Sequence, residues 1–303
     1  MSDNNLLGTI EQKYKSFSKS HKRIADYILE HYDTSAFMTA SKLGSIVGVS
    51  ESTVVRFAFE LGYEGYPEFQ TELQEIIKNK LTTVQRMEIT SSKMEEKNIL
   101  KSVLQSDMDK LRQTMESVDN DVFISVIETI SAARRIYILG ARTSSAVASF
   151  LGFYLNMIYD NVKTIATNSA SDTFEQIYRV NSDDAVIAIS YPRYSVRTQN
   201  AVKYAAAAGS KIIAITDSEE SPITDFATYS LFARCDMTNF VDSLVAPLSL
   251  CNSLIVALVV RNKENISKTF ADLEKIWIDY EVYEQKNINE GDNIKKAEKT
   301  EKK

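Results

Sequence analysis

Four short stretches concentrate the groups that bind anions: GARTSS at 140–145, ATNSAS at 166–171, SYPRYS at 190–195 and TDSEES at 216–221. Each follows a short apolar run. Hydroxyls beside backbone N–H groups at a helix N-terminus suit an anion, phosphate in particular. Arg142 and Arg193 add the forked donor geometry that matches phosphate or carboxylate. One such loop alone reads as helix caps, but hydroxyl-rich loops at successive strand ends point to a small anionic ligand. TDSEES carries Asp217, Glu219 and Glu220 and reads instead as a capping turn outside the pocket. The candidate effector contacts are Gly140, Arg142, Ser144, Ser145, Asn168, Ser190, Arg193, Tyr194 and Ser195.

A second constellation lies upstream, in TASKLGSIVGVSESTVVRFAFELG at 39–62. Leu43, Ile46 and Val47 recur at helical spacing behind Thr39 or Ser41 as cap. Gly48 can take the positive φ that breaks the helix, and Ser50 is a good N-cap for the next one. Val54, Phe57, Ala58 and Leu61 form the apolar face of that second helix, which stops at Gly62. Gly44 lets the two helices approach closely. The spacing predicts a helix-turn-helix, whose second helix enters the DNA major groove. Glu51, Ser52, Thr53 and Arg56 face outward as base and phosphate readers, with Thr39, Ser41 and Ser50 beside them. Lys22 and Arg23, in the basic start of the preceding helix, are candidate phosphate contacts.

Other chemistries find little support. An aldose–ketose isomerase needs a positioned base, His or Glu. Both histidines, His21 and His31, lie far upstream of the strands, and Glu175, Glu219 and Glu220 have no evident acid partner. Cys235 and Cys251 are too few for a disulfide framework and lack metal-ligand spacing, so neither metal nor cofactor is expected, and a reducing cytoplasm fits. The N-terminus shows no basic and apolar pattern of a secretory signal. The longest apolar run, 254–260, is far short of the roughly 18 residues of a membrane span. Net charge is −6, and residues 1–80 hold nine Lys and Arg against eleven Asp and Glu. Any DNA contact must therefore be local and modest per subunit.

The elements that must position these groups fall into two textures. Residues 18–32 and the Pro67-led stretch through Phe69, Leu73, Ile76 and Ile77 read as helices flanking the helix-turn-helix, giving an all-α domain over 1–77. Residues 78–97 are polar and weakly periodic and read as a linker. A helix carrying Ile99, Val103, Leu104, Met108, Leu111 and Met115 follows, expected to dock on the next domain or on a partner subunit, and Asp119 caps another. Then apolar strands near 135–140, 162–166, 184–190, 211–217 and 229–233 alternate with helices, which argues a doubly wound parallel sheet covered on both faces. In such a sheet ligands sit outside the carboxyl ends of the strands. The stretch 242–260 reads as a buried helix despite Pro247. A last amphipathic helix over 266–283 carries Trp277 as a packing anchor, and 284–303 reads as a disordered tail.

KRIADYILEH, GVSESTVVRF and LGYEGYPEF resemble the N-terminal domain of the RpiR/MurR family of bacterial transcription regulators. ILGARTS, ISYPRYS and AITDSEESPITDFA, within about 118–260, resemble the sugar isomerase (SIS) domain of the same family. The resemblance implies a winged-helix-like domain, a phosphosugar-sensing SIS domain that with its flanking helices takes up 98–283, and a homodimer or homotetramer on a palindromic operator in double-stranded DNA. It implies phosphosugar contacts at Ser144, Ser190 and Ser195. The chain departs from the family pattern where Arg142 replaces a glycine and Pro192 and Arg193 replace the middle of the serine loop. Ala58-Phe59-Glu60 stands where members carry basic residues. The reading is a regulator whose operator affinity is set by a small anionic effector. The alternatives are a sugar-phosphate isomerase and a sensor that acts on a protein partner.

Overall fold

The computed structural model describes residues 6–77, 84, 87, 98–165, 167, 169–235 and 241–283. The expected linker, apart from 84 and 87, and the expected tail lie outside these residues, as do Asn168 and the side chains of Ile76 and Ile77.

Six helices make the N-terminal region: α1 (Leu6–Lys13), α2 (Lys19–Glu30), the single turn α3 (Tyr32–Ser35), α4 (Ala40–Val47), α5 (Glu51–Leu61) and α6 (Tyr66–Ile77). Ile10, Ile24, Ile28, Leu43, Val54, Phe57, Phe69 and Leu73 are buried together in their core. Phe57 sits at its centre, edge-on to Phe17 at 5.2 Å and to Phe69 at 6.0 Å. Pro67 is the second residue of α6, where its missing N–H costs no helical bond. α1 was not expected from the sequence, and Ile46, expected on the apolar face of α4, is 42% exposed.

Two helices, α7 (Ile99–Ser117) and α8 (Asn120–Ala132), lead into the sheet; Asp119 caps α8 through Oδ1, accepting from the N–H groups of Asp121 and Val122. The strands are β1 (Ile136–Gly140), β2 (Val162–Ile165), β3 (Ala185–Ile189), β4 (Lys211–Thr216) and β5 (Tyr229–Phe232), all parallel in the order β2-β1-β3-β4-β5. Between and after them come α9 (Ser144–Ile158), α10 (Ala170–Ile177), α11 (Val196–Ala207), α12 (Val245–Arg261) and α13 (Lys263–Asp279). Alternate strand residues feed two cores. Ile136, Ile138, Ile187 and Ile213 pack with α8, α9 and α12, whereas Tyr137, Leu139, Val186 and Ala214 pack with α10 and α11. Both faces are covered, which is why these strands read as unbroken apolar runs. Pro247 falls in the first turn of α12, where it breaks no helical bond. Trp277 is not an anchor in either core: it is half-buried and meets Tyr283 edge-on at 5.4 Å.

The lower end of the sheet is closed. Asp184, fully buried, accepts from Arg134 Nη2 at 2.8 Å and from the Asn181 N–H at 3.0 Å. The upper, carboxyl end is open.

Candidate functional site

In the helical region, Thr39 caps α4 by accepting from the Lys42 N–H at 3.2 Å, while Ser41 is exposed in its first turn. Gly48 ends α4 at φ 68°, a conformation that only glycine adopts freely. A Cβ on Gly44 would lie 2.9 Å from the Val49 carbonyl oxygen, so the small residue admits the turn itself. Ser50 caps α5, accepting from the Thr53 N–H at 3.3 Å, and its hydroxyl also meets Ser52 Oγ at 2.9 Å and Thr53 Oγ1 at 2.8 Å. Arg56 is exposed and lies back along its helix, donating from Nε to the Ser52 carbonyl at 3.2 Å. Arg23 donates to the Gly48 carbonyl at 3.2 Å and so braces the turn; Lys22 stands over the Tyr14 ring at 5.5 Å. Glu60 contacts His21 Nδ1, while its carbonyl accepts from Lys13 Nζ at 3.0 Å. The acidic residue thus ties α5 to its neighbours.

At the carboxyl end of the sheet a cavity of about 250 Å³ is lined by Ala141, Arg142, Thr143, Ser144, Ser190, Tyr191, Pro192, Arg193, Ser195 and Asp242. A Cβ on Gly140 would lie 2.6 Å from the Ser144 carbonyl oxygen and 2.7 Å from Ala148 Cβ; only glycine lets β1 run this close beneath α9. Arg142 holds φ 56°, a cost for a residue with a Cβ. The N–H groups of Ser144, Ser145 and Ala146 already donate to the carbonyls of Ala141, Arg142 and Thr143, at 3.2, 3.0 and 3.1 Å. Side chains, more than these backbone groups, must meet a ligand at this end.

Those side chains divide sharply. Among the described residues, the guanidiniums of Arg142 and Arg193 and the hydroxyls of Thr143, Ser144, Ser190 and Tyr191 make no hydrogen bond or ion pair within the chain. Both arginines are exposed, and Ser144, Ser190 and Tyr191 are buried. Burial raises the Tyr191 phenol well above its ordinary range, so it stays a neutral donor. By contrast Ser145 donates to the Arg142 carbonyl at 2.5 Å, Ser195 caps α11 by accepting from the Thr198 N–H at 3.3 Å, and Tyr194 donates to Asp217 at 2.9 Å. Ser145, Tyr194 and Gly140 support the loops without lining the cavity. TDSEES caps no α-helix. Its Thr216 hydroxyl donates to the Ser190 carbonyl at 2.7 Å and its Asp217 holds Tyr194, so it braces the SYPRYS loop from behind.

With both sites in place, the chain can be set beside known proteins. Residues 4–80 match the helix-turn-helix domain of the rpiR family, and residues 129–257 match the SIS domain. The chain belongs to the rpiR family. An HTH-type transcriptional regulator of Haemophilus influenzae is 28% identical over 281 residues, covering 87% of this chain and 92% of that protein. The sugar isomerase domain of an RpiR transcription factor from Sphaerobacter thermophilus superposes with a TM-score of 0.56 at 25% identity, over 59% of this chain and 99% of that one. The Vibrio vulnificus NanR protein, complexed with ManNAc-6P, shares the fold at 23% identity and TM-score 0.56, over 91% of this chain and 99% of its own.

For this rpiR-family regulator, sequence reasoning missed five residues that line the cavity: Ala141, Thr143, Tyr191, Pro192 and Asp242. Thr143 and Tyr191 stood inside the quoted loops and were passed over for their serine and arginine neighbours. Asp242 carried no signal, since only the fold brings it beside Arg142. It also missed α10, although Ser169 caps that helix with Asp172 in the first turn. Among the described residues no cluster of His, Cys, Asp or Glu is placed to hold a metal, and no single helix is long and apolar enough to cross a membrane.

Proposed function

We propose that this chain is a DNA-binding transcription regulator whose operator affinity is set by a small anionic effector, a sugar phosphate, held at the carboxyl end of the sheet. One observation carries the reading: two exposed guanidiniums without partners stand at a small cavity whose buried hydroxyls also lack partners. Charge-assisted, bidentate bonds to phosphate match that donor set, and the neutral hydroxyls suit a sugar. ManNAc-6P bound to a protein of the same fold agrees with this chemistry. In α5, Arg56, Ser52 and Thr53 would read the major groove, with Ser50, Thr39 and Ser41 beside the backbone and Lys22 at its edge. Two copies in a homodimer or homotetramer would engage the half-sites of a palindrome.

The isomerase reading fares worse on the same geometry. The lining contains one carboxylate, Asp242, and no histidine, and Glu175, Glu219 and Glu220 are not part of it. A thermal-shift screen of the full chain against sugar phosphates, amino sugars and small carboxylates tests the proposal. A ligand at a hundred times its Kd adds about 2.7 kcal/mol of stability. Stabilisation by sugar phosphates, together with selection of a palindrome from random DNA, is expected. Catalysed interconversion of sugar phosphates, lost in Glu175→Gln, would overturn it.

A further inference from the structure

Among the described residues, α7 makes two long-range hydrogen bonds to the sheet domain, one to Arg234 just after β5 and one to Ser243, the neighbour of Asp242. Thr114 Oγ1 accepts from the Arg234 N–H at 2.9 Å, and Asp107 Oδ1 accepts from the Ser243 hydroxyl at 2.6 Å. The same Asp107 oxygen lies 3.7 Å from Nζ of Lys110, a lysine only 4% exposed that also donates to Ser106. Ser243 is tied twice more. Its Oγ accepts from the Val245 N–H at 3.4 Å where α12 begins, and its carbonyl accepts from the Cys235 thiol at 3.4 Å. Asp242, one peptide bond away, lines the cavity with Arg142 and Arg193.

We infer that the Ser243–Asp107 contact carries occupation of the cavity to α7, and so toward the chain leading back to the helix-turn-helix; this rests on the proposal that the cavity holds an anion. An anion between Arg142 and Arg193 repels the Asp242 carboxylate and competes for the cations beside it. Ser243 is too close along the chain to stay still if Asp242 shifts. Asp107 cannot follow Ser243 without altering its pairing with buried Lys110, and in a poorly hydrated setting such a pair favours discrete arrangements over gradual stretching. Leu111 packs on the core beside α12, but Leu100, Leu104, Met108 and Met115 are 73, 54, 51 and 75% exposed, so much of the apolar surface of this helix is unpacked within the chain and the polar anchors share in setting its position. Ser243 and Asp107 are positioning residues, since neither lines the cavity.

The test uses the full chain, with inorganic phosphate and glucose 6-phosphate as probes. Calorimetry reports binding, and amide hydrogen exchange over 99–117 reports α7. In the wild type, binding changes α7 exchange by about 5-fold or more, the lower end of ordinary allosteric coupling. Ser243→Ala binds the probe with unchanged affinity but loses the α7 response, and Ser243→Thr, which keeps the hydroxyl, restores it. An undiminished response in Ser243→Ala overturns the inference, as does probe binding to the wild type without any change in α7. Failure of both probes to bind the wild type overturns instead the cavity reading beneath it. Should Ser243→Ala not fold, Asp107→Asn takes its place: it keeps an acceptor but removes the charge paired with Lys110, and an unchanged α7 response there sinks the idea.

Discussion

At the start of α5, Ser50, Ser52 and Thr53 bond one another, Arg56 lies back on the Ser52 carbonyl and Arg23 braces Gly48. At the starts of α9 and α11, the side chains of Arg142, Arg193, Thr143, Ser144 and Ser190 make no hydrogen bond or ion pair among the described residues. The two places use the same residue types in opposite states. A donor already bonded locally gains only the difference when it moves to a phosphate or a base, so the helix-turn-helix should grip a half-site weakly. The count of nine basic against eleven acidic residues over 1–80 points the same way. A donor without a partner breaks no internal bond when an anion arrives. The effector end should therefore command more free energy per contact than one DNA-reading end, and useful operator affinity should come from holding two copies at fixed spacing.

The largest effect should follow from removing the partnerless cations. Arg142→Ala with Arg193→Ala deletes two charge-assisted contacts of about 1.5–3 kcal/mol each, weakening sugar-phosphate binding by on the order of 10²-fold or more. Calorimetry measures this, and effector-free operator affinity should not move. A loss below about tenfold would mean the anion sits elsewhere. Arg56→Ala should cost operator affinity about 1–3 kcal/mol, read by fluorescence anisotropy on the selected palindrome. The pattern sharpens the comparison. Loss confined to one base position makes Arg56 a base reader, whereas uniform loss with a salt slope reduced by about 1 makes it a phosphate contact.

Much of this arrangement was legible in the sequence, for identifiable reasons. β1 and β3 stood out because a parallel strand buried on both faces must be apolar at every position. The helix-turn-helix stood out because Gly48 needs a positive φ and Ser50 a free hydroxyl, both demands that a single residue type reveals. Arg142, Ser144 and Ser190 were readable because the cavity of an open sheet lies at strand ends. α1 and α10 were not, since each is only eight residues long and shows little more than two turns of pattern. Nor could the sequence tell engaged hydroxyls from unengaged ones. Tyr194 and Ser190 sit in one loop, yet Asp217, just past the end of β4, takes the first and leaves the second facing the cavity.

Gly48→Ala probes how far the reader depends on its internal bracing. The left-handed φ alone costs about 1–2 kcal/mol for a residue with a Cβ. The new Cβ would also lie 2.6 Å from an Arg23 guanidinium nitrogen, displacing the Arg23 brace. Gly62→Ala is the control: it too has positive φ, at 106°, but a Cβ there meets nothing within 4 Å. Chemical denaturation of the full chain should show Gly48→Ala as the more damaging substitution. Equal losses would mean that the Arg23 contact adds no more than the extra backbone strain at Gly62, whose φ of 106° lies outside the αL well that Gly48 occupies.

The smallest effect should come from Tyr194, which supports the cavity without lining it. Burial, and then the Asp217 charge that accepts its hydrogen bond at 2.9 Å, hold its phenol above the ordinary 10.0. In the helical region burial alone pushes Tyr66 up to about 12. A raised folded-state value means that below pH 10 both states keep the proton and stability is unaffected. Above it, the unfolded chain releases protons that the folded chain retains, so stability falls as pH rises toward the folded values. Tyr194→Phe should lose about 1 kcal/mol at neutral pH, the ordinary worth of one hydrogen bond, while making the alkaline decline shallower. Tyr66→Phe should flatten the decline by its own share, independently, because the two residues have no common partner. Sugar-phosphate affinity should barely change in Tyr194→Phe. If it instead fell as far as in the arginine variants, the loop behind the cavity would be setting the positions of Arg193 and Ser190, and the division between engaged support and partnerless contacts would not hold.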